Sequence, residues 1–326
     1  MSQPLLTIAI PTYNRMALLD VCLSQLAPQL RAHGSEVELL VSDNCSTDDT
    51  EKLVAGYLAA GTPLRYLRNE TNIGADRNFV QCFSLASGRF VWLLSDDDLL
   101  LEGGLERVLK LLQEENPGVL HIRSYSFQED FRKERPRKNP SGKVLVFRDP
   151  KAFAAKVHVN LTFISGSIVN KALVGADLHP EDFLDTNLVQ LSWTLSAALH
   201  AETNLHLDEF IVAAKAENTG GYRLCTVFGV NMNRIFRALE TLGGDPAFFR
   251  VINRKTITTF FPAWILKIRS TSNQFHAEDA FETLRPVFRG FPTLWTMVWP
   301  VATLPVPVAK VWFKLCREWL KLTGRW

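Results

Sequence analysis

Within residues 1–112, short apolar runs alternate with segments of helical periodicity, and this alternation narrows the possible folds more than any other feature. Leu5–Ile10, Val37–Asp43, the segment LRYLRN at 64–69 and the segment RFVWLLSDDD at 89–98 read as buried strands. Between them, Met16–His33, residues 46–61 and residues 74–88 repeat apolar side chains at helical spacing. Strand, helix, strand at this spacing makes each helix the crossover that a parallel pair requires. The predicted class is therefore α/β, a doubly wound, mostly parallel sheet, with ligands expected at the carboxyl ends of its strands. The first strand is expected to stop at Pro11, and Ser46 with Asp49 to form a capping box at the start of the second helix.

Three of these strands end in polar sequence: PTYNR after the first, SDNCSTDD after the second and SDDD after the fourth. The triplet Asp96-Asp97-Asp98 follows apolar residues directly. Three like charges beside a buried strand repel one another unless something positive joins them. A hard divalent cation held by one or two carboxylates and by ligand phosphates meets that need. Neither GxGxxG nor GxxxxGK occurs, which removes the backbone device of a dinucleotide or P-loop site. A nucleotidyltransferase, which also uses strand-end carboxylates and a metal, would likewise want a glycine-rich N-terminal loop.

The remaining strands and helices are expected to continue the pattern. Residues 102–118 form a helix ended by Pro117 and Gly118, 119–127 a strand, 163–169 a short strand or turn, 185–202 a helix and 204–215 a returning strand. The charged, proline-bearing stretch Phe131–Lys143 reads as an exposed loop. A net charge of +2 over 326 residues gives no electrostatic reason to expect nucleic acid. Five scattered cysteines without a CxxC pair argue against a disulfide framework and a zinc site. No basic n-region with a long apolar h-region opens the chain, so a cytoplasmic location is expected. The dispersed histidines, His121, His158, His200 and His206, read as structural.

Taken together and in order, TIAIPTYNR, VSDNCSTDDT, NETNIGADRNF and FVWLLSDDD resemble the nucleotide-binding half of family 2 glycosyltransferases of GT-A fold. The likeness covers about a third of the chain, Leu5–Leu112. It implies an inverting transfer from a nucleotide-sugar donor, with Mn2+ or Mg2+ as cofactor. By that likeness Pro11, Thr12, Tyr13 and Arg15 cradle the base, Asp43 contacts base or ribose, and Arg77 lies near the nucleotide. The family's Asp-any-Asp motif falls on Ser95-Asp96-Asp97. Its first aspartate is Ser95 here, so the ribose contact comes from Ser95 or Asp96, while Asp97 takes the metal and Asp98 supports it. The catalytic base is Asp185, just ahead of a helical pattern; Asp182, in the literal Glu181-Asp182 pair, is the alternative. The segment Ala216–Tyr222 corresponds to a loop over the donor diphosphate, and Lys215 to a phosphate contact. SDDD and FISGSIV are similar to the abequosyltransferase-like branch.

From residue 226 onward the chain reads as helical, dense in aromatics and, toward its end, basic. The expected division is a catalytic domain over 1–225, with a nucleotide-binding half (1–112) and an acceptor half (113–225), followed by a helical region over 226–326. Pro300, Pro305 and Pro307 oppose a membrane-spanning helix. An interfacial segment, with tryptophans at the headgroup level and Lys310, Lys314, Arg317 and Lys321 outward, is expected instead. The expected protein is thus peripheral on the inner face of a bacterial cytoplasmic membrane, with a glycan or lipid-linked glycan as acceptor in surface polysaccharide synthesis such as O-antigen. A catalytically inactive binding scaffold on the same fold is the remaining alternative.

Overall fold

The computed structural model describes residues 3–34, 36–216, 221–270 and 275–322. It divides into two compact units, residues 1–153 with 160–216, and residues 154–159 with 217–326.

The first unit opens with β1 (Leu6–Thr12), α1 (Met16–Ala32), β2 (Val37–Asp43), α2 (Thr50–Ala59), β3 (Leu64–Arg68), α3 (Ala75–Leu85) and β4 (Phe90–Leu93). β5 (Leu99–Leu100), α4 (Gly104–Glu115), β6 (Val119–Phe127), β7 (Val144–Phe147), α5 (Pro150–Val157, of which 154–157 belong to the second unit), β8 (Ser167–Asn170), α6 (Val189–His200) and β9 (Asn204–Lys215) follow. One sheet runs β3-β2-β1-β4-β8-β6-β9-β5, with β7 on β9. β3, β2, β1 and β4 are parallel, as the alternating pattern requires. β8 enters antiparallel between β4 and β6, so the second half of the sheet is mixed. β1 and β4 are buried throughout, and their Leu6, Ile8, Ile10, Phe90 and Trp92 join Leu19, Leu23 and Leu26 of α1 in the core. Burial on both faces explains why these strands read as continuous apolar runs.

Two local expectations are corrected. β1 does not stop at Pro11 but continues through it to Thr12. The β4 pairing ends at Ala9 with Leu93, while Ala9 accepts from Leu94 and Thr12 accepts from Asn44, so the missing N–H of Pro11 faces the side that β4 no longer occupies. The capping box is also absent. α2 begins at Thr50, whose amide is held by Asp48, and Ser46 turns instead to the first loop.

The second unit contains α7 (Met232–Thr241), α8 (Pro246–Lys255), α9 (Phe261–Ser270), α10 (Ala280–Phe288), α11 (Trp299–Thr303) and α12 (Val306–Leu322), with π-helical turns at Thr226–Asn231, Thr256–Phe260 and Leu294–Val298. Its core gathers Ile257, Phe261, Leu284, Phe288, Leu294, Val298 and Ala309. Asn233 and Asn253 exchange side-chain hydrogen bonds in this interior at 3.1 and 2.7 Å, which satisfies two buried amides at once.

Candidate active site at the strand ends

The loops after β1, β2 and β4 meet at one sheet edge and are tied together by hydrogen bonds. Ser46 accepts from the Asn14 amide at 2.9 Å, Asn14 accepts from the Thr47 amide at 2.7 Å, and Asp48 accepts from the Met16 amide at 2.9 Å. Asp43, fully buried at the end of β2, accepts from the Ser46 amide and from the Tyr66 hydroxyl, at 2.8 and 2.6 Å. Burial and this carboxylate hold the Tyr66 phenol well above its ordinary pKa. Next to it, Asn44 accepts from Asn69 and Ile73 and donates to Asn72 and the Gly74 carbonyl. Gly74 precedes α3 with φ of +87°, a conformation that glycine adopts without the steric cost a side chain would add. Arg77, one turn on, is exposed, and no carboxylate among the described residues pairs with it. Tyr13 is 42% exposed, so its ring is open to a ligand.

The three aspartates are all buried, yet they face different partners. Asp96 accepts from the Thr12 hydroxyl at 2.8 Å and from the Arg15 guanidinium at 2.6 Å. Burial pushes its carboxyl up to about 6 against the pull of Arg15. Asp98 accepts from the Ser165 hydroxyl at 2.5 Å and the Lys215 amide at 3.0 Å. Burial, together with the charge of Asp97, raises it to about 7. Asp97 is the exception. Its Oδ1 accepts from the Ser95 hydroxyl at 2.6 Å, while its buried Oδ2 has no hydrogen-bond partner. An Arg15 nitrogen lies 3.4 Å from that oxygen, near enough for charge attraction but outside hydrogen-bond geometry. A buried carboxylate oxygen left open is the donor that a divalent cation needs. Among the described residues no group of three or more His, Cys, Asp or Glu side chains forms a cage, so a cation here would draw its other oxygens from a ligand.

Of the residues expected at the site, Thr12, Arg15, Ser95, Asp96, Asp97 and Asp98 come together directly. Arg15 pairs with the aspartates, although the likeness placed it on a base. Both oxygens of Asp98 are engaged by protein donors, which leaves Oδ2 of Asp97 as the open carboxylate oxygen of the triplet. The Lys215 side chain lies over Phe127, 5.2 Å from the ring centroid, and donates to the Gln128 carbonyl. The expected diphosphate loop falls largely on residues 217–220, outside the described residues.

Asp185 is exposed and held in the left-handed region at φ +65°, with Asn187 at +55°. Non-glycine residues in that region are uncommon and collect at functional sites. Asp76, buried at the start of α3, explains how the loop keeps this shape. It accepts from the Asn187 amide at 3.0 Å and also bonds the amides of Asp185 and Thr186. Burial raises its carboxyl even so. Phe83 of α3 stacks on Trp193 of α6 with ring centroids 4.5 Å apart, which fixes the two helices that flank this loop. Asp182 sits apart, exposed on the short turn Pro180–Phe183.

Sequence reasoning missed Asp76 and Ser165. An acidic residue in a first helical turn reads as a dipole partner, and nothing near Ser165 signals that its hydroxyl reaches Asp98 while its carbonyl accepts from the Trp92 indole at 3.0 Å. Asp76→Ala is expected to lower stability by about 1–3 kcal/mol, because the amides that it caps lose their acceptor. A thermal melt checks this, and an unchanged midpoint would remove Asp76 from the account.

Comparison with known proteins bears on the fold and the family. An abequosyltransferase of Salmonella typhimurium is 37% identical over 102 residues, 31% of this chain and 30% of that protein. A GalNAc(5)-diNAcBac-PP-undecaprenol beta-1,3-glucosyltransferase of Campylobacter jejuni is 33% identical over 120 residues, 36% of this chain and 37% of that one. The matched stretch thus spans only about a third of the length of these relatives. The structure of Staphylococcus aureus TarS 1–349 with UDP-GlcNAc superposes with a TM-score of 0.62 at 18% identity, covering 96% of this chain and 91% of that one, and shows the shared GT-A fold. Residues 7–169, half of the 326-residue chain and the part that carries every loop of the aspartate cluster except the returning strand, match Glycosyl transferase family 2, and the chain belongs to that family.

Proposed function

We propose that this protein transfers a sugar, with inversion, from a nucleoside-diphosphate donor to a glycan acceptor in the assembly of a bacterial surface polysaccharide. The observation that carries the reading is the open, buried Oδ2 of Asp97 at the strand ends. Asp97 would hold a divalent cation, manganese or magnesium, which when bound would supply positive charge where the diphosphate departs. Tyr13 and Pro11 border the base, Arg77 faces the phosphates, and Ser95 the ribose. Asp98 stays tied to Ser165 and keeps Asp97 in place. The Asp185 carboxylate takes the proton from the acceptor hydroxyl as that oxygen bonds to the anomeric carbon. The bond from that carbon to the donor phosphate breaks, and the nucleoside diphosphate leaves with the electron pair. The relatives named for abequosyl transfer and for an undecaprenol-diphosphate acceptor support this class of donor and acceptor. Thermal-shift measurement against nucleoside diphosphates, with and without manganese, tests the reading, since a ligand bound only by the native state raises its melting point. No stabilisation by any nucleoside diphosphate would overturn it.

The acceptor is read as lipid-linked and the protein as cytoplasmic and peripheral on the membrane. No helix among the described residues is long and apolar enough to cross a bilayer. α12 is amphipathic in place of that. Ala309 and Leu320 are buried, whereas Val308, Val311, Leu315 and Leu322 stand 52, 61, 62 and 88% exposed, with Trp312 and Trp319 on the same stripe. Because Leu294, Val298 and Val301 belong to the core, deleting the chain from Phe291 onward would unfold this unit, and point changes are the better probe. Val311→Gln with Leu315→Gln is expected to weaken binding to phosphatidylcholine–phosphatidylglycerol liposomes while shifting stability by no more than about 0.5 kcal/mol, as both sites are exposed. Liposome sedimentation that is identical for variant and parent would sink the membrane reading.

A further inference from the structure

The carboxylates of Asp96, Asp97 and Asp98 are buried side by side, and among the described residues Arg15 is the one cation that pairs with any of them. It lies 2.6 Å from Oδ1 of Asp96 and 3.4 Å from Oδ2 of Asp97. Lys215, the other basic residue at this edge, gives Asp98 only its amide, because its ammonium donates to the Gln128 carbonyl. The backbone of Arg15 is anchored on both sides. Asn14 before it, at φ +53°, donates its amide to Ser46 and accepts from the Thr47 amide, and the Arg15 carbonyl accepts from the Leu18 and Leu19 amides as α1 begins. The guanidinium is held less firmly. Its side chain is 31% exposed, and the nitrogen nearest Asp97 makes no hydrogen bond to Oδ2, so that end can swing toward solvent while the backbone stays in place.

The open oxygen of Asp97 therefore faces a cation of the protein as well as any that arrives. A manganese or magnesium ion bonded to Oδ2 would sit about 2.1 Å from it, and so no more than about 5.5 Å from the Arg15 nitrogen, in a buried cluster where like charges repel strongly. The three carboxylates alone would then have to neutralise Arg15 and the ion together. A nucleoside diphosphate alters that balance, because its phosphates bring further negative charge.

We propose that Arg15 is the resident counter-ion of this cluster and makes cation binding depend on the donor: it opposes the ion when no nucleotide is bound, and yields Oδ2 of Asp97 when the diphosphate arrives. The inference rests on the transferase reading above and adds a coupling to it. Metal and nucleotide then tighten each other by the same factor.

The test reads manganese bound by the full chain, from the electron paramagnetic resonance signal of the free ion, with and without whichever of UDP, GDP, CDP and dTDP stabilises the chain most. Manganese held by free nucleotide is subtracted, and a mildly alkaline pH keeps protons from competing. In the parent, nucleotide is expected to tighten manganese about tenfold or more, within the range that such couplings commonly span. Arg15→Gln should raise manganese affinity without nucleotide about tenfold and shrink the coupling by a similar factor. Damage to a site lowers affinity, so a gain is a signature that loss of structure does not produce. Adding Asp97→Asn should abolish the gain, and Arg15→Lys, which keeps the charge, should stay near the parent. Removing one partner of a buried pair costs stability, so a melt of each variant sets the working temperature. Equal manganese affinity with and without nucleotide in the parent would overturn the proposal even if no variant folds. An Arg15→Gln affinity no tighter than the parent's would do the same, as would a gain that survives Asp97→Asn or one equally large in Arg15→Lys. Nucleotide that never binds, with or without manganese, removes the transferase reading and this inference with it, whereas nucleotide binding with a manganese affinity indifferent to Arg15 removes the inference alone.

Discussion

Asp97→Asn is expected to abolish manganese-dependent nucleotide binding and to lower kcat/KM by about a hundredfold or more, equivalent to about 3 kcal/mol of transition-state stabilisation. The physical reason lies in one atom. Oδ2 of Asp97 is buried without a hydrogen-bond partner, whereas both oxygens of Asp96 and of Asp98 are occupied by protein donors. The amide keeps the shape of the side chain and still accepts from Ser95 through its remaining oxygen. What it cannot do is offer a charged oxygen to a divalent cation. The Asn Nδ2 would meet Arg15, a donor facing a donor, so stability should fall only slightly. Calorimetry with manganese and a panel of nucleoside diphosphates reads the first effect, and circular dichroism with a thermal melt reads the second. Metal-dependent affinity equal to that of the parent would refute the assignment of Asp97.

Asp185→Asn should leave nucleotide affinity intact while lowering kcat by about 10²–10⁴, the range that a lost general base commonly costs. Asparagine is the informative replacement because it also tolerates the left-handed backbone at φ +65°, so the loop is not forced to move. The pH dependence of kcat carries a second signature: the acid limb that reports ionisation of the base should vanish from whatever activity remains. Asp182→Asn serves as the counterpart. Its side chain is exposed on a neighbouring turn, away from the amides that Asp76 gathers, and its replacement should be near neutral. A dead Asp182→Asn with an active Asp185→Asn would transfer the role.

The strain at Asp185 makes sense only with Asp76. A carboxylate that accepts from consecutive loop amides offsets the cost of two residues held at positive φ, and it does so from a helix that belongs to the nucleotide-binding half of the sequence. The same element therefore presents Arg77 and shapes the loop of Asp185, the proposed general base. Substitutions on α3 are expected to disturb both steps together, whereas substitutions at Ser95 or Asp97 should act on donor binding and diphosphate departure and leave the Asp185 loop in place.

The sequence by itself determined the order and kind of the first seven elements, since apolar runs and helical spacing are local signals that a parallel crossover sheet must obey. It also determined that polar residues gather at one edge, because the carboxyl ends of parallel strands lie together. It mistook two local details, Pro11 as a stop and Ser46 as a cap, where the outcome depends on which neighbouring strand or loop is within reach. Only the tertiary structure decided that β8 slots antiparallel between β4 and β6, because a short strand of four residues carries no periodicity that names its neighbours. Only the tertiary structure separated the three aspartates, giving Asp96 to Thr12 across 84 positions, Asp98 to Ser165 across 67, and the Asp185 loop to Asp76, with Asn187 bonded across 111. In the sequence those three carboxylates are equivalent neighbours. Which oxygen stays open is settled by donors that arrive from distant strands and loops, and a hydrogen bond's length and direction depend on that arrival rather than on any spacing along the chain.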